Sequence, residues 1–228
     1  MKRKRSLLLL IAYGFIATLA VYYGLVERES LAVTFVSFHL LVCLGIPLLH
    51  GWWEGGLPDS WRRAWLPFDK QGTVWGLAAG AFMLTGILAG IRLLFASGVQ
   101  PEEIRAVLER WGLTWQALWW FSLYMTAVNS LLEELFWRGF VLERLLAAMS
   151  RFAAVLLSSF FFCLYHLLVA TVLFGWRWGV WITLMVLAIG VFWGWLKGVF
   201  PAVYATWFSH MLSDLGIILG LVFWVYMG

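Results

Sequence analysis

Long apolar runs broken by short polar clusters set the pattern of this chain. Ser6 to about Val26 is one apolar run, closed by Glu27-Arg28-Glu29-Ser30; Leu31 to about Leu49 is a second, and Thr73 to about Ala96 a third. A helix needs about 20 apolar residues to cross the hydrocarbon core of a bilayer, so each run predicts a membrane-spanning helix. Between the second and third, Gly51 to Gly72 carries Trp52, Trp53, Trp61, Trp65, two prolines, Arg62, Arg63 and Lys70. That mixture predicts an interfacial loop with aromatic rings at headgroup level. Gly98 to Gly112, opened by Pro101-Glu102-Glu103, predicts a short amphipathic surface helix, with Pro101 just inside its start where a missing N–H does no harm. A long helical stretch, about Trp115 to Met149, leads to a turn at Ser150-Arg151. Spans from Phe152 to about Phe174 and from Trp178 to Trp195 follow, punctuated by Gly175-Trp176-Arg177. Lys197-Gly198 predicts another turn before the last run, about Val199 to Met227, which Gly216 and Gly220 leave open as one tilted helix or a broken pair.

Composition decides what kind of bundle this is. Of 228 residues, 63% are hydrophobic and 12% charged, more apolar surface than a soluble domain of this size can bury. The expected fold is all-α: a polytopic transmembrane helical bundle of about seven or eight spans, with seven crossings counted. It reads as a single integral membrane domain over residues 1–228. Three N-terminal spans occupy 1–97, an interfacial segment 98–114, and a core with the polar motifs 115–228. Met1-Lys2-Arg3-Lys4-Arg5 ahead of the first run resembles a signal peptide. The apolar stretch that follows exceeds the roughly 7–15 residues of a signal core, so it reads as a retained span with its N-terminus in the cytoplasm. Of the 16 Lys and Arg, eleven fall on the proposed cytoplasmic side, four (Arg28, Arg105, Arg110, Arg177) on the far side, and Arg92 within a span. This asymmetry is the positive-inside pattern, and the net charge of +4 is a topology signal rather than a nucleic-acid footprint. Cys43 and Cys163 lie in apolar runs and read as buried packing, with neither metal spacing nor a disulfide framework.

Against this background one stretch stands out. Leu131-Leu132-Glu133-Glu134-Leu135-Phe136-Trp137-Arg138 places two carboxylates and a guanidinium in a run of Leu, Phe and Trp. An ionisable group at membrane depth is costly unless paired or hydrated, and marks a candidate functional site. Glu133 lies 17 residues before the turn at Ser150, and His166 lies 16 residues after it. At about 1.5 Å per residue both sit roughly 25 Å from the turn, so adjacent antiparallel helices bring them level. His210 and Asp214, at i,i+4 on the last run, share one face. Consecutive helical residues point about 100° apart, so Glu133 and Glu134 cannot do the same work. Glu134 and Arg138 are i,i+4 in the favourable order and read as a structural ion pair. Glu133 is left as the carboxylate for chemistry, with Asn129 one turn behind it. Phe162, one turn before His166, is placed to wall the site. His39 and His50 read as hydrogen-bonded core residues.

Taken together, Glu133-Glu134-Leu135-Phe136-Trp137-Arg138 (E-E-x-x-x-R), Phe162 to His166 (F-x-x-x-H) and His210 to Asp214 (H-x-x-x-[N/D]) resemble the CPBP family of intramembrane glutamic endopeptidases, which includes the type II CAAX prenyl proteases. The resemblance covers roughly Trp115 to Gly228. It implies a protease without a metal or other cofactor. Glu133 would be the base that activates water, His166 would help hold that water, and His210 and Asp214 would line the position of the oxyanion. Glu134 and Arg138 would support them. CAAX-processing members typically have Asn at the position of Asp214. An ionised Asp cannot donate to an oxyanion, so here it would be protonated or would orient His210 as a charged donor. Three rival readings stand beside this one. Glu133, His166, His210 and Asp214 are acceptable ligand types for a zinc protease, although no H-E-x-x-H helix is present. Members of the family have been linked to bacteriocin self-immunity and scaffolding, so a non-catalytic peptide-binding role is a second. A transporter is a weaker third, since neither repeat symmetry nor paired broken helices suggest alternating access. The implied partners are the lipid bilayer and a membrane-associated protein or peptide substrate, with no nucleic acid. The small size and abundant Trp suggest a bacterial inner membrane.

Overall fold

The computed structural model describes residues 2–55 and 68–228, and all of its regular structure is helical. Trp61, Arg62, Arg63, Trp65 and both prolines of the expected interfacial loop lie outside the described residues. We label the helices α1 (Leu7–Glu27), α2 (Leu31–Trp53), α3 (Lys70–Ala96), α4 (Pro101–Arg110), α5 (residues 118–148), α6 (151–174), α7 (176–199) and α8 (Tyr204–Tyr226).

Local chemistry sets the helix starts. Ser30 Oγ accepts from Val33 N–H at the head of α2, Asp69 Oδ1 from Gly72 N–H (2.8 Å) at the head of α3, and Ser150 Oγ from Ala153 N–H at the head of α6. Each satisfies one of the orphan donors of a first turn. Pro101 occupies the first turn of α4, as the sequence predicts.

Residues 151–199 hydrogen-bond almost as one helix of 49 residues, but Gly175 has φ 76° and ψ 166°. Only glycine adopts that conformation without strain. The contacts show a hairpin around it: Gly179 faces Thr171, Gly190 faces Ser159, Gly194 faces Val155, and Gly198 faces Arg151. Each arm has about 24 residues, roughly 36 Å, enough to cross a bilayer. The expected turn at Lys197-Gly198 is not where the chain turns, because helix continues to Val199. Lys197 is buried, with Nζ 2.9 Å from Glu143 Oε1 and bonded to the Pro201 carbonyl, so that two acceptors hold a cation the sequence places at a surface turn.

The last run is one continuous helix, which settles the alternative left open at Gly216 and Gly220. Both glycines lie where another helix presses close: a Cβ at Gly216 would lie 3.2 Å from Leu84 Cα, and one at Gly220 would collide with Ile91. Further along the same seam Gly76 of α3 meets the Ala205 backbone. Contact positions rise together along both chains, so α3 and α8 are parallel. Small residues at i,i+4 on each helix let the backbones approach, the usual means of helix association where lipid removes the hydrophobic drive.

Among the described residues five helices are long and apolar enough to cross a membrane, counting 151–199 once. Its two arms, together with the more polar α5, give the seven crossings. Exposed Trp52 and Trp53 sit at one end of α2, while exposed Trp119 and Trp120 open α5 and exposed Trp176 opens α7, as aromatic belts at two interfaces would. Helix α4 docks Ile104 and Leu108 inward and keeps Glu102, Glu103 and Arg110 outside. Tyr226 Oη donates to the Leu113 carbonyl just beyond it. The chain is an integral membrane protein built as an all-α bundle.

Candidate active site

The polar residues gather where α2, α5, α6, α7 and α8 meet. Helix α5 is not uniform there. Tyr124–Asn129 and Leu135–Leu142 are wide π turns on either side of the α-helical Ser130–Glu134. Such turns are frequent at functional sites, since i→i+5 bonding shifts the face that later residues present. In α2 the wide stretch Phe35–Gly45 carries His39 and Cys43, both buried.

The adjacent glutamates divide as the sequence predicts. Glu134, fully buried, accepts from Arg138 Nη1 at 2.8 Å. The same Oε1 also lies 3.1 Å from His210 Nδ1, a contact the sequence did not disclose. Arg138 is buried too; its guanidinium lies 4.6 Å from the Phe162 ring centre and 5.1 Å from that of Trp193, and Nη2 reaches the Gly190 carbonyl. Arg138 is one of the eleven cations on the proposed cytoplasmic side, but buried in this way it is no topology signal, and the asymmetry keeps its sign without it.

Glu133 faces elsewhere. Its Oε2 accepts from Tyr165 Oη at 2.8 Å and lies 4.0 Å from His210 Nε2. Among the described residues no hydrogen bond reaches Oε1. Tyr165, one residue before the His166 expected at this level, is the neighbour that makes the contact. His166 turns Nδ1 to the Phe162 carbonyl at 2.8 Å. A carbonyl only accepts, so Nδ1 carries a proton, and in the neutral form of the ring Nε2 is the lone pair.

His210 is the hub. Its ring stacks on Trp193 with centres 4.4 Å apart, and Trp193 Nε1 donates to Ser209 Oγ at 2.9 Å, which fixes the stacking indole. Glu134 holds Nδ1, while Nε2 points between Asp214 Oδ1 at 3.5 Å and Glu133 Oε2 at 4.0 Å. Both nitrogens thus face carboxylates, a geometry that a doubly protonated ring satisfies. Asn129 does not support Glu133 directly; its Nδ2 donates to Asp214 Oδ2 at 2.9 Å. Phe162 packs edge-on to His210 and against His166, so it lies at the wall expected of it. His39 bonds Tyr124 Oη at 2.7 Å, and His50 bonds Tyr13 Oη at 3.0 Å and Glu54 Oε1 at 3.1 Å, as hydrogen-bonded core histidines do.

The arrangement brings a carboxylate with one unbonded oxygen against an imidazole N–H backed by a second carboxylate. Such a pair can take a proton from water and stabilise a developing oxyanion. Residues 115–216 match the family described as type II CAAX prenyl endopeptidase Rce1-like. No curated protein and no solved structure matches the chain. The Rce1-like segment begins just before α5 and ends two residues past Asp214, so it contains every residue of the three sequence motifs. It supports a CAAX-type intramembrane protease at the level of the family. Helices α2 and α3 lie outside it, yet Phe38 packs against Tyr165 with ring centres 4.9 Å apart and Met83 Sδ lies 3.4 Å from Ser209 Oγ. Among the described residues, no group of three or more His, Cys, Asp and Glu side chains is arranged to hold a metal ion.

Tyr165 and Trp193 are the site residues the sequence reading missed. A signal for Tyr165 existed: a buried tyrosine hydroxyl needs a partner, and Tyr165 lies within two residues of the level of Glu133. For Trp193 there was none, since nothing in the sequence separates it from the other 16 tryptophans.

Proposed function

We propose that the chain is an intramembrane endopeptidase that hydrolyses a peptide bond of a membrane-associated protein or peptide, in the inner membrane of a bacterium. Glu133 Oε1 takes a proton from water, and the hydroxide oxygen attacks the peptide carbon. His166 steadies the same water through Nε2. The electron pair displaced onto the carbonyl oxygen is met by His210 Nε2–H, whose ring Glu134 orients from the other side, much as a carboxylate orients a catalytic imidazole elsewhere. Donors placed in advance at that oxygen supply several kcal/mol of selective stabilisation where water is scarce. Asp214, steadied by Asn129, keeps the charged ring turned toward the substrate. The proton on Glu133 then passes to the leaving nitrogen as the C–N bond breaks.

The observation that carries this reading is a buried carboxylate, 4% exposed, whose Oε2 takes the Tyr165 hydrogen bond and lies 4.0 Å from His210 Nε2, while no described residue bonds Oε1. Depth then selects the substrate. Glu133 lies 11 residues from Arg144, which pairs with Glu54 beyond the end of α2. That is about 16 Å of helix, close to half the hydrocarbon thickness. A scissile bond must therefore lie in a segment that enters the bilayer, such as a lipidated tail, a hydrophobic anchor or a leader.

The deciding experiment compares the termini of membrane proteins in cells carrying the wild type and Glu133→Gln. A terminus that changes only in the variant names the substrate. A variant that preserves both the termini and the biological phenotype replaces proteolysis with non-catalytic peptide binding.

A further inference from the structure

Tyr165 is the buried tyrosine whose hydroxyl meets a carboxylate of the site. Its ring is clamped by side chains from three helices: Phe38 of α2 with centres 4.9 Å apart, Trp137 of α5 stacked at an interplanar angle of 17°, and Phe162 and His166 of its own helix. A ring held on several sides cannot swing, so the hydroxyl has one place to point. That place is Glu133 Oε2, at 2.8 Å. The carboxylate oxygen can only accept, so the tyrosine donates and keeps its proton.

This contact makes the two oxygens of Glu133 unequal. Oε2 carries the Tyr165 hydrogen bond and faces His210, whereas Oε1 has no hydrogen bond from any described residue. We propose that Tyr165 is a positioning residue for Glu133, pinning Oε2 so that Oε1 is the oxygen that removes the proton from water. This rests on the reading of Glu133 as the base. The step balances: the water O–H bond breaks, its proton goes to Oε1, and the oxygen's electron pair forms the bond to the peptide carbon. Tyr165 gives up no proton at any stage. Its hydroxyl also stabilises the ionised carboxylate, because a hydrogen bond to a charged group is stronger than one to its neutral form. Locking the rotamer of a reacting group through packed neighbours is how a site reaches its working geometry.

Tyr165→Phe keeps the ring and removes only the hydroxyl. In the full chain in lipid bilayers, the carboxyl band that Glu133→Gln deletes is followed by infrared spectroscopy as pH is varied. In Tyr165→Phe its midpoint moves to higher pH. On a peptide that the wild type cleaves, kcat falls about tenfold, as expected for about 1.4 kcal/mol of lost stabilisation. KM stays within about twofold, on the view that the lost contact acts in the chemical step, and the acid limb of the pH–rate profile moves upward with the infrared midpoint. A merely structural hydroxyl would change unfolding and leave band and limb in place.

Site-specific 3-fluorotyrosine at 165 is a second variant that keeps the packing. It makes the hydroxyl a stronger donor and moves the midpoint the opposite way. A folded Tyr165→Phe or fluorotyrosine protein with band and limb unmoved, in an enzyme that still cleaves, overturns the role of Tyr165 alone. A wild type that cleaves no membrane peptide overturns the base reading and the assignment of Oε1 with it.

Discussion

Arg138→Met tests the electrostatic frame of the site most directly. Arg138 and Glu134 are respectively 2% and 0% exposed, and 2.8 Å separates the paired atoms. Removing the guanidinium strands a carboxylate in the bundle with His210 as its remaining close cation. Breaking a buried pair from one side costs about 3–5 kcal/mol, because the charge left behind cannot reach water. Loss of the contacts with the Phe162 and Trp193 rings adds about 0.5–2 kcal/mol, of which the methionine side chain restores part through packing. The expected loss is therefore about 3–5 kcal/mol, read from reversible unfolding of the full chain as denaturing detergent is titrated into mixed micelles. Activity falls with it, since Glu134 also holds His210 Nδ1. Two further variants sharpen the result. Arg105→Met breaks the i,i+4 pair with Glu109, whose partners are both about half exposed, and leaves the unfolding midpoint in place. Glu134→Leu combined with Arg138→Met removes both charges and is more stable than Arg138→Met alone. An Arg138→Met protein within about 1 kcal/mol of wild type, the range of an exposed pair, would refute the reasoning. So would a double variant less stable than the single.

The other predictions concern the reacting groups and the hairpin. Glu133→Gln abolishes cleavage while unfolding at or above the wild-type midpoint; measurable turnover removes Glu133 as the base. Asp214→Asn keeps the Asn129 contact but loses the charge beside His210 Nε2, so cleavage falls about tenfold for about 1.4 kcal/mol of lost stabilisation. Unchanged turnover shows that no carboxylate is needed there. Gly175→Ala forces a side chain onto a φ of 76° and costs about 1–3 kcal/mol of stability by the same detergent titration, with open space around the new Cβ and hence no clash to blame.

The membrane helices were legible because hydrophobic length is a one-dimensional property. The runs ending near Val26, Leu49 and Ala96 reappear as α1, α2 and α3, and Gly175 punctuates where its backbone requires glycine. Height along a helix was legible for the same reason, which is why Glu133 and Tyr165–His166 meet. Rotation about the helix axis was not. Asn129 reads as sharing a face with Glu133 if every turn is α-helical, but it ends a wide turn and reaches Asp214 of α8 instead. Lys197 failed differently: its charge suggested an exposed turn, whereas Glu143 and a free carbonyl beyond the end of α7 made a buried place for it. Glu143 is marked by no spacing from Lys197, and Pro201, four residues on, offers only a backbone carbonyl.

The two glutamates explain why so polar a cluster persists in lipid. Glu134 is matched by Arg138 and His210, so its charge is balanced by direct contact. Among the described residues Glu133 has no such partner; His210 Nε2 lies 4.0 Å away, and the hydrogen bond it accepts comes from a neutral hydroxyl. A bundle shaped for stability alone would carry glutamine or leucine there, because an incompletely balanced buried carboxylate opposes folding. Natural sequences break local rules of this kind chiefly where function needs the strained group. The imbalance at Glu133 is thus a reason, independent of the family match, for proposing Glu133 rather than Glu134 as the reacting carboxylate.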